Sequence, residues 1–168
     1  AVGRCGGSVD APRRARWEAK LGEAYLGLGL LTESREHTEH ALRLLDHPFP
    51  DTRLNLAVQF ARGVGRQTLH RILPRWLLER GGASAEVLRQ AAAADQVITQ
   101  VCYFSQDLAA GVFAALRALN FAERVGACPE VARAYATMGL VAASMAPFQA
   151  VAEHYGCLAR AAAEAVGD

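Results

Sequence analysis

No two cysteines of this chain stand close enough to form a C-x-x-C pair; Cys5, Cys102, Cys128 and Cys157 are scattered. That excludes a zinc ribbon or a thioredoxin-like motif, and it argues against a disulfide framework. Isolated cysteines on helices pack as small hydrophobes. Lysine is nearly absent: Lys20 stands alone among 18 basic residues, a bias that fits GC-rich, bacterial coding. Neither sign of charge dominates. With a formal net charge of +1, no global field draws nucleic acid or an anionic membrane. Runs of alternating β-branched residues are missing, which excludes a sheet-based core. Ala1 to Pro12 is small and Gly-rich and lacks the apolar segment of a secretory signal. The sequence opens on Ala rather than Met, so a piece of a longer, cytoplasmic chain is expected.

Charge is also missing from Ala134 to Ala152, a stretch long enough to cross a bilayer. Its alanines add little hydrophobicity, and Ser144, Pro147 and Gln149 interrupt it. An interior Pro breaks a helix. The reading is two amphipathic helices with a turn near Ala146-Pro147, and no membrane partner.

What remains is helix-forming. Hydrophobic residues make up 52% of the 168, enough to bury a sizeable core. Ala, Leu, Arg and Glu dominate, so the class is all-α. Residues 1–12 read as an irregular lead-in, and residues 13–168 as one helical domain. A first helix over Arg13 to Leu28 carries Trp17, Leu21, Ala24, Tyr25 and Leu28 on one apolar face; Leu21 and Tyr25 are expected to be buried, as are Phe113, Tyr135 and Tyr155 further along the chain. Gly29 ends it. A second begins at Thr32, whose hydroxyl is placed to cap it, and stops near Asp46 before His47-Pro48-Phe49-Pro50. Asp51 and Thr52 cap a third, Thr52 to Leu73, with Leu54, Val58, Ala61, Gly65, Leu69 and Ile72 as its expected buried stripe. Trp76-Leu77-Leu78 adds a turn, and Arg80 to Ala83 is the best internal linker. Ser84 caps a fourth helix, Ala85 to Phe104. A fifth spans Asp107 to Val125 and a sixth opens on Pro129 and runs to Met145. The seventh spans Pro147 to Val166.

Leu21-Gly22-Glu23-Ala24-Tyr25-Leu26-Gly27-Leu28-Gly29, followed by Ser34, Ala41 and Leu42, sets small residues where two antiparallel helices would touch. A degenerate repeat accompanies it: Asn120 to Gly126 resembles Ala161 to Gly167 at a spacing of 41. Tyr135, Met138, Gly139, Ala142, Phe148, Tyr155 and Leu158 continue the pattern. This cadence resembles tetratricopeptide repeats. With Ala115 to Asn120 and Pro129 to Ala136, it is similar to the helical-repeat region of bacterial signalling proteins that carry a class III adenylate/guanylate cyclase domain and an AAA- or STAND-type ATPase domain. The resemblance implies a tetratricopeptide-like antiparallel helix-pair solenoid of about seven helices. Its units fall at about 13–46, 84–126 and 129–168, with an extra helical segment at 52–80. It also implies that catalysis lies elsewhere in such a protein, since neither a cyclase metal motif nor a Walker motif is present.

Constellations that could carry chemistry are sparse. In Glu33 to His40, the i, i+4 pairs Glu33/His37 and Glu36/His40 read as a solvated face with ion pairs rather than a metal site. A di-metal bundle would need further carboxylates. Gly27-Leu28-Gly29 and Gly3 to Gly7 lack the Lys-Ser/Thr of a phosphate loop. Cys102 and His154 are not brought together by any motif. No catalytic residue, metal or cofactor is therefore assigned. Arg62, Arg66 and His70 form a basic stripe on the third helix, without a helix-turn-helix or base-reading pattern. It reads as a solvated face or a contact to another domain, not a nucleic-acid site. The better candidate is the concave side lined by the first helix of each pair. Arg16, Lys20, Glu23 and Leu26, with Ala19, line the first unit; Arg133, Leu140 and Ser144, with Ala136, line the third. Two arginines there suit an acidic peptide, a protein segment or another domain of the same chain. A small-molecule effector in an inter-helix pocket is the alternative.

Overall fold

The computed structural model describes residues 11–72, 84–144 and 146–167. Among them the backbone forms seven α-helices and no strand. These are α1 (Ala11–Gly27), α2 (Leu31–Leu44), α3 (Arg53–Ile72), α4 (Ala85–Phe104), α5 (Leu108–Val125), α6 (Pro129–Ala143) and α7 (Gln149–Val166). The ends follow local chemistry. Gly29 adopts φ +75°, a conformation that only glycine takes cheaply, and closes α1. The Thr52 hydroxyl accepts from Asn55 N, Ser84 from Val87 N and the Asp107 carboxylate from Ala110 N. Pro129 occupies the first turn of α6. One expected cap fails: α2 starts at Leu31, and Leu30 precedes it with no side-chain cap, so Thr32 lies inside the helix. The turn between α6 and α7 is a single 3-10 turn, Ala146–Phe148. No helix among the described residues is long and apolar enough to cross a membrane. The expected Trp76-Leu77-Leu78 turn, the Arg80 to Ala83 linker and the lead-in up to Asp10 lie outside the described residues.

α1 packs on α2, α4 on α5 and α6 on α7, and each pair runs antiparallel. Between pairs, α2 and α1 pack on α4, while α5 and α4 pack on α6. α3 packs on α5 instead of on its sequence neighbour α2. Gln67 makes that junction: its Nε2 donates to Asn120 Oδ1 (3.2 Å) and Glu123 Oε2 (2.7 Å). Tyr135 OH donates to Glu123 Oε1 (2.9 Å), which ties α6 to the same carboxylate. One core cluster joins Ala15 and Leu42 to Ala91, Ala94, Ile98 and Phe113. A second joins Leu119 and Ala122 to Val131, Ala134 and Tyr155.

Two expected faces are wrong. On α1, Trp17 is 60% exposed, Leu21 and Leu28 are also exposed, and Tyr25 is half-buried. The buried residues are Ala15 and Gly22. The cause is close approach: a Cβ on Gly22 would lie 2.2 Å from Thr38 Oγ1, and Ser34 Oγ donates to Gly22 O at 2.8 Å. Small residues let α2 in, and the large ones rotate outward. On α3, Leu54, Val58, Ala61 and Gly65 are exposed, while Phe60 is half-buried and Gln67 buried against α5. The side chains of Leu69 and Ile72 lie outside the described residues. Of the other aromatic residues read as core, Phe113 and Tyr155 are buried and Tyr135 is half-buried.

Candidate functional site

Contacts inside the three pairs fix a common register. Gly22 meets Ser34, twelve residues on, and Thr99 meets Gly111 at the same interval. Gly22 meets Thr38 as Gly139 meets Tyr155. Gly22, Thr99 and Gly139 are thus matching positions on the first helices α1, α4 and α6.

Carried along that register, the expected site residues fall into rows with members from α4 that sequence reasoning missed. Arg16 matches Ala93 and Arg133. Ala19 matches Gln96 and Ala136. Glu23 matches Gln100 and Leu140, and Leu26 matches Tyr103. Arg16, Lys20, Glu23, Arg133, Leu140 and Ser144 are all exposed; Leu26 is half-buried. Tyr103 and Leu140 are each 70% exposed, so two large apolar side chains stand on this side. Ser144 Oγ donates to Val141 O (2.7 Å) within its own helix. Arg89 on α4 lies 4.0 Å from Glu130 on α6, a bridge between first helices of adjacent pairs. The signal that would have found Gln96, Gln100 and Tyr103 is the twelve-residue interval from Thr99 to Gly111, with the small residue on the second helix rather than the first.

Opposite this side, the pairs are pinned by charge. Asp95 on α4 is fully buried, and Arg117 on α5 grips it with Nε to Oδ2 (2.7 Å) and Nη2 to Oδ1 (2.5 Å). Arg117 Nη1 also donates to Pro48 O (2.8 Å), and the guanidinium lies over the rings of Phe49, Phe113 and Phe121. Burial pushes the Asp95 carboxyl up, against the pull of Arg117. The interval from Asp95 to Arg117 recurs in the first pair, from Glu18 to His40. There Glu18 Oε2 meets His37 Nδ1 at 2.7 Å and Oε1 meets His40 Nδ1 at 3.4 Å. Tyr25 stacks on His37, with centroids 5.1 Å apart. These histidines therefore serve the interface with α1 rather than the expected pairs with Glu33 and Glu36, both of which are exposed. The hydrogen bond from His37 holds the Glu18 carboxyl below its ordinary range. The ring nitrogens meet the carboxylate directly, and among the described residues no group of three or more His, Cys, Asp or Glu is arranged to hold a metal ion.

His47 gives a pH dependence. It packs on Phe121 (4.8 Å), and its Nε2 is buried with no hydrogen-bond partner. Burial, then Arg117 and Arg124, push its pKa below the ordinary 6.5. A depressed histidine binds protons more readily unfolded than folded. Its share of stability is present above 6.5 and is lost as pH falls below it. Thermal unfolding should thus drop between neutral pH and pH about 5. His47→Phe, which keeps the ring contact, should flatten that drop. Glu18 acts in a lower window: its lowered pKa withdraws stability only as pH falls below its ordinary 4.5.

The basic stripe divides. Arg62 is exposed, whereas Arg66 is half-buried with Nε buried and unpartnered. Burial, then Arg66, lower the pKa of Arg124 on α5. The side chain of His70 lies outside the described residues. Cys102 is buried, which pushes its thiol up to about 11, and His154 is exposed on α7. A cleft of about 250 Å³ lies between the end of α5, α6 and α7, lined by Glu123, Cys128, Tyr135, Leu158 and Ala162.

Fold and geometry together define an all-helical protein whose described part is built of three packed helix pairs and one added helix. No protein family, curated protein or solved structure matches the chain.

Proposed function

We propose that the chain is a tetratricopeptide-like helix-pair array, a protein-interaction or regulatory module of a bacterial, cytoplasmic signalling protein with ATPase or cyclase domains. It binds a peptide, or a segment of another domain of the same protein, along the side formed by α1, α4 and α6. The observation that carries this reading is the shared register of the three pairs. It aligns Arg16, Glu23, Gln100, Arg133 and Leu140 as one exposed row set on three first helices. Preformed helices bind with little ordering cost. Arg16 and Arg133 stand in matching positions at the two ends and favour acidic residues in the ligand; Tyr103 and Leu140 offer apolar contact between and beside them. Charge at such a surface gives specificity and speed of capture. The cleft beside α7 is the feature that favours a small-molecule effector. Its volume, about 250 Å³, falls short of the roughly 300–1,000 Å³ usual for ligand pockets, so the interaction reading ranks first.

The test is a peptide selection on the whole chain, followed by Arg16→Glu with Arg133→Glu. Selected ligands should be acidic, and the double variant should weaken them by about tenfold or more, on the order of 1.4 kcal/mol. Arg62→Glu on α3 should leave them unchanged. Ligands lost with Arg62→Glu but indifferent to Arg16 and Arg133 would move the binding surface to α3.

A further inference from the structure

The far side of α1, turned away from both α2 and α4, carries a second surface that stands apart from the row set described above. Trp17, Leu21, Ala24 and Leu28 follow at steps of four, three and four, the spacing of a coiled-coil seam. All four are exposed, Leu28 by 73%. In the register that matches Gly22 with Thr99, Trp17, Leu21 and Ala24 correspond to Ala94, Ile98 and Val101 of α4. Those three are almost fully buried, and Ala94 and Ile98 lie in the cluster with Ala15 and Leu42 of the preceding pair. On α6 the position matching Trp17 is Ala134, also buried, in the cluster with Leu119 and Ala122 of its preceding pair. This face of a first helix is therefore a seat for a helix wherever another pair precedes it. On α1 the seat carries Trp17 where α4 and α6 have alanine, and nothing among the described residues covers it.

Charge says what sits there. Arg13, Arg14, Arg16 and Lys20 are exposed and make no ion pair among the described residues, and Glu23 is the single exposed acid of α1. By helical rotation Arg13 and Lys20 flank the seam on one side and Arg14 on the other. Arg13 and Arg14 also lie in the first turn, which holds no acid, where the helix dipole opposes cations. We propose that the outer face of α1 seats an acidic amphipathic helix of a partner protein, laid on Trp17, Leu21 and Leu28 and flanked by these cations.

The probe is a synthetic helical peptide with Leu at heptad a and d positions and Glu on the flanks, beside a twin with Lys in place of Glu. Trp17 emission in a Trp76→Phe background reports occupancy, and titration calorimetry on the unaltered chain reads the same affinity. The Glu peptide should shift emission to the blue; the Lys twin should not. Leu21→Ser with Leu28→Ser, or Arg13→Glu with Arg14→Glu, should each weaken binding by about tenfold or more. All four are exposed positions, so equal far-ultraviolet helicity checks that folding is intact. Leu54→Ser, on exposed α3 surface, should leave the affinity unchanged. Equal binding of both peptides, or of neither, overturns the proposal. So does loss with Leu140→Ser alone, which would return the acidic ligand to the row set of α1, α4 and α6. A blue shift with anionic phosphatidylserine vesicles but not with the Glu peptide would make the seat a membrane contact. A shift that grows with protein concentration and no additive would make it a contact between copies. Either result contradicts an acidic partner helix.

Discussion

Arg117→Ala is expected to lower unfolding stability by about 3–5 kcal/mol, the usual cost of leaving a buried charge without its partner. Asp95 is fully buried and takes both of its strong hydrogen bonds from that guanidinium. Removing it also frees Pro48 O and empties the space over Phe49, Phe113 and Phe121. The loss should appear in chemical denaturation as a lower midpoint at unchanged slope. A double variant, Asp95→Leu with Arg117→Met, should recover most of it, because an apolar pair of similar volume avoids desolvating two charges. If Arg117→Ala unfolds at the parent midpoint, the pair is not buried as described. If the double variant is no better than the single one, the aromatic and Pro48 contacts outweigh the charge.

Gly22→Leu should cost at least about 1–3 kcal/mol, the range for overpacking a close helix contact. Elsewhere in a helix, replacing glycine by a better helix former stabilises by up to about 1 kcal/mol. Here even a methyl group would sit 2.2 Å from Thr38 Oγ1 and 3.2 Å from Ser34 O. Gly22→Ala should therefore be destabilising as well, by less. Thr38→Ala should partly relieve Gly22→Ala, since the nearest obstacle is the Thr38 hydroxyl and not backbone. The check is a melting series of the four chains. A Gly22→Leu chain that melts at or above the parent temperature would mean that α1 and α2 do not approach at this point.

Helix existence and limits were legible from sequence because capping is local. Ala85–Phe104 is recovered as read, with Ser84 capping it, and Pro129 opens α6 as its fixed φ allows. Faces were less legible. Hydrophobic periodicity assigns the inside to the largest apolar stripe, yet on α1 the inside belongs to Ala15 and Gly22. Backbone approach, and the hydrogen bond from Ser34 to Gly22, decided that orientation. The same competition turned α3, where Gln67 reaches Asn120 and Glu123 while Leu54 is left 77% exposed. Phe49 was hidden differently: flanked by prolines it reads as loop, but its ring is buried edge-on against Phe113. Asp95 gave no signal at all, because its partner is twenty-two residues away and only the pairing of α4 with α5 brings them together. For the proposed interaction surface, the α1 and α6 residues were readable from the tetratricopeptide-like cadence, which sets the first helix of each pair on one side. The α4 contribution required the register set by Thr99 and Gly111.

The most direct measurement is a backbone amide chemical-shift map of the chain with an acidic peptide selected on it. Largest shifts should fall on the matching rows of the three first helices, around Arg16, Glu23, Gln100, Arg133 and Leu140, with little change on α5 and α7. Shifts confined to α3, or centred on the cleft between α6 and α7, would contradict a binding surface built from α1, α4 and α6.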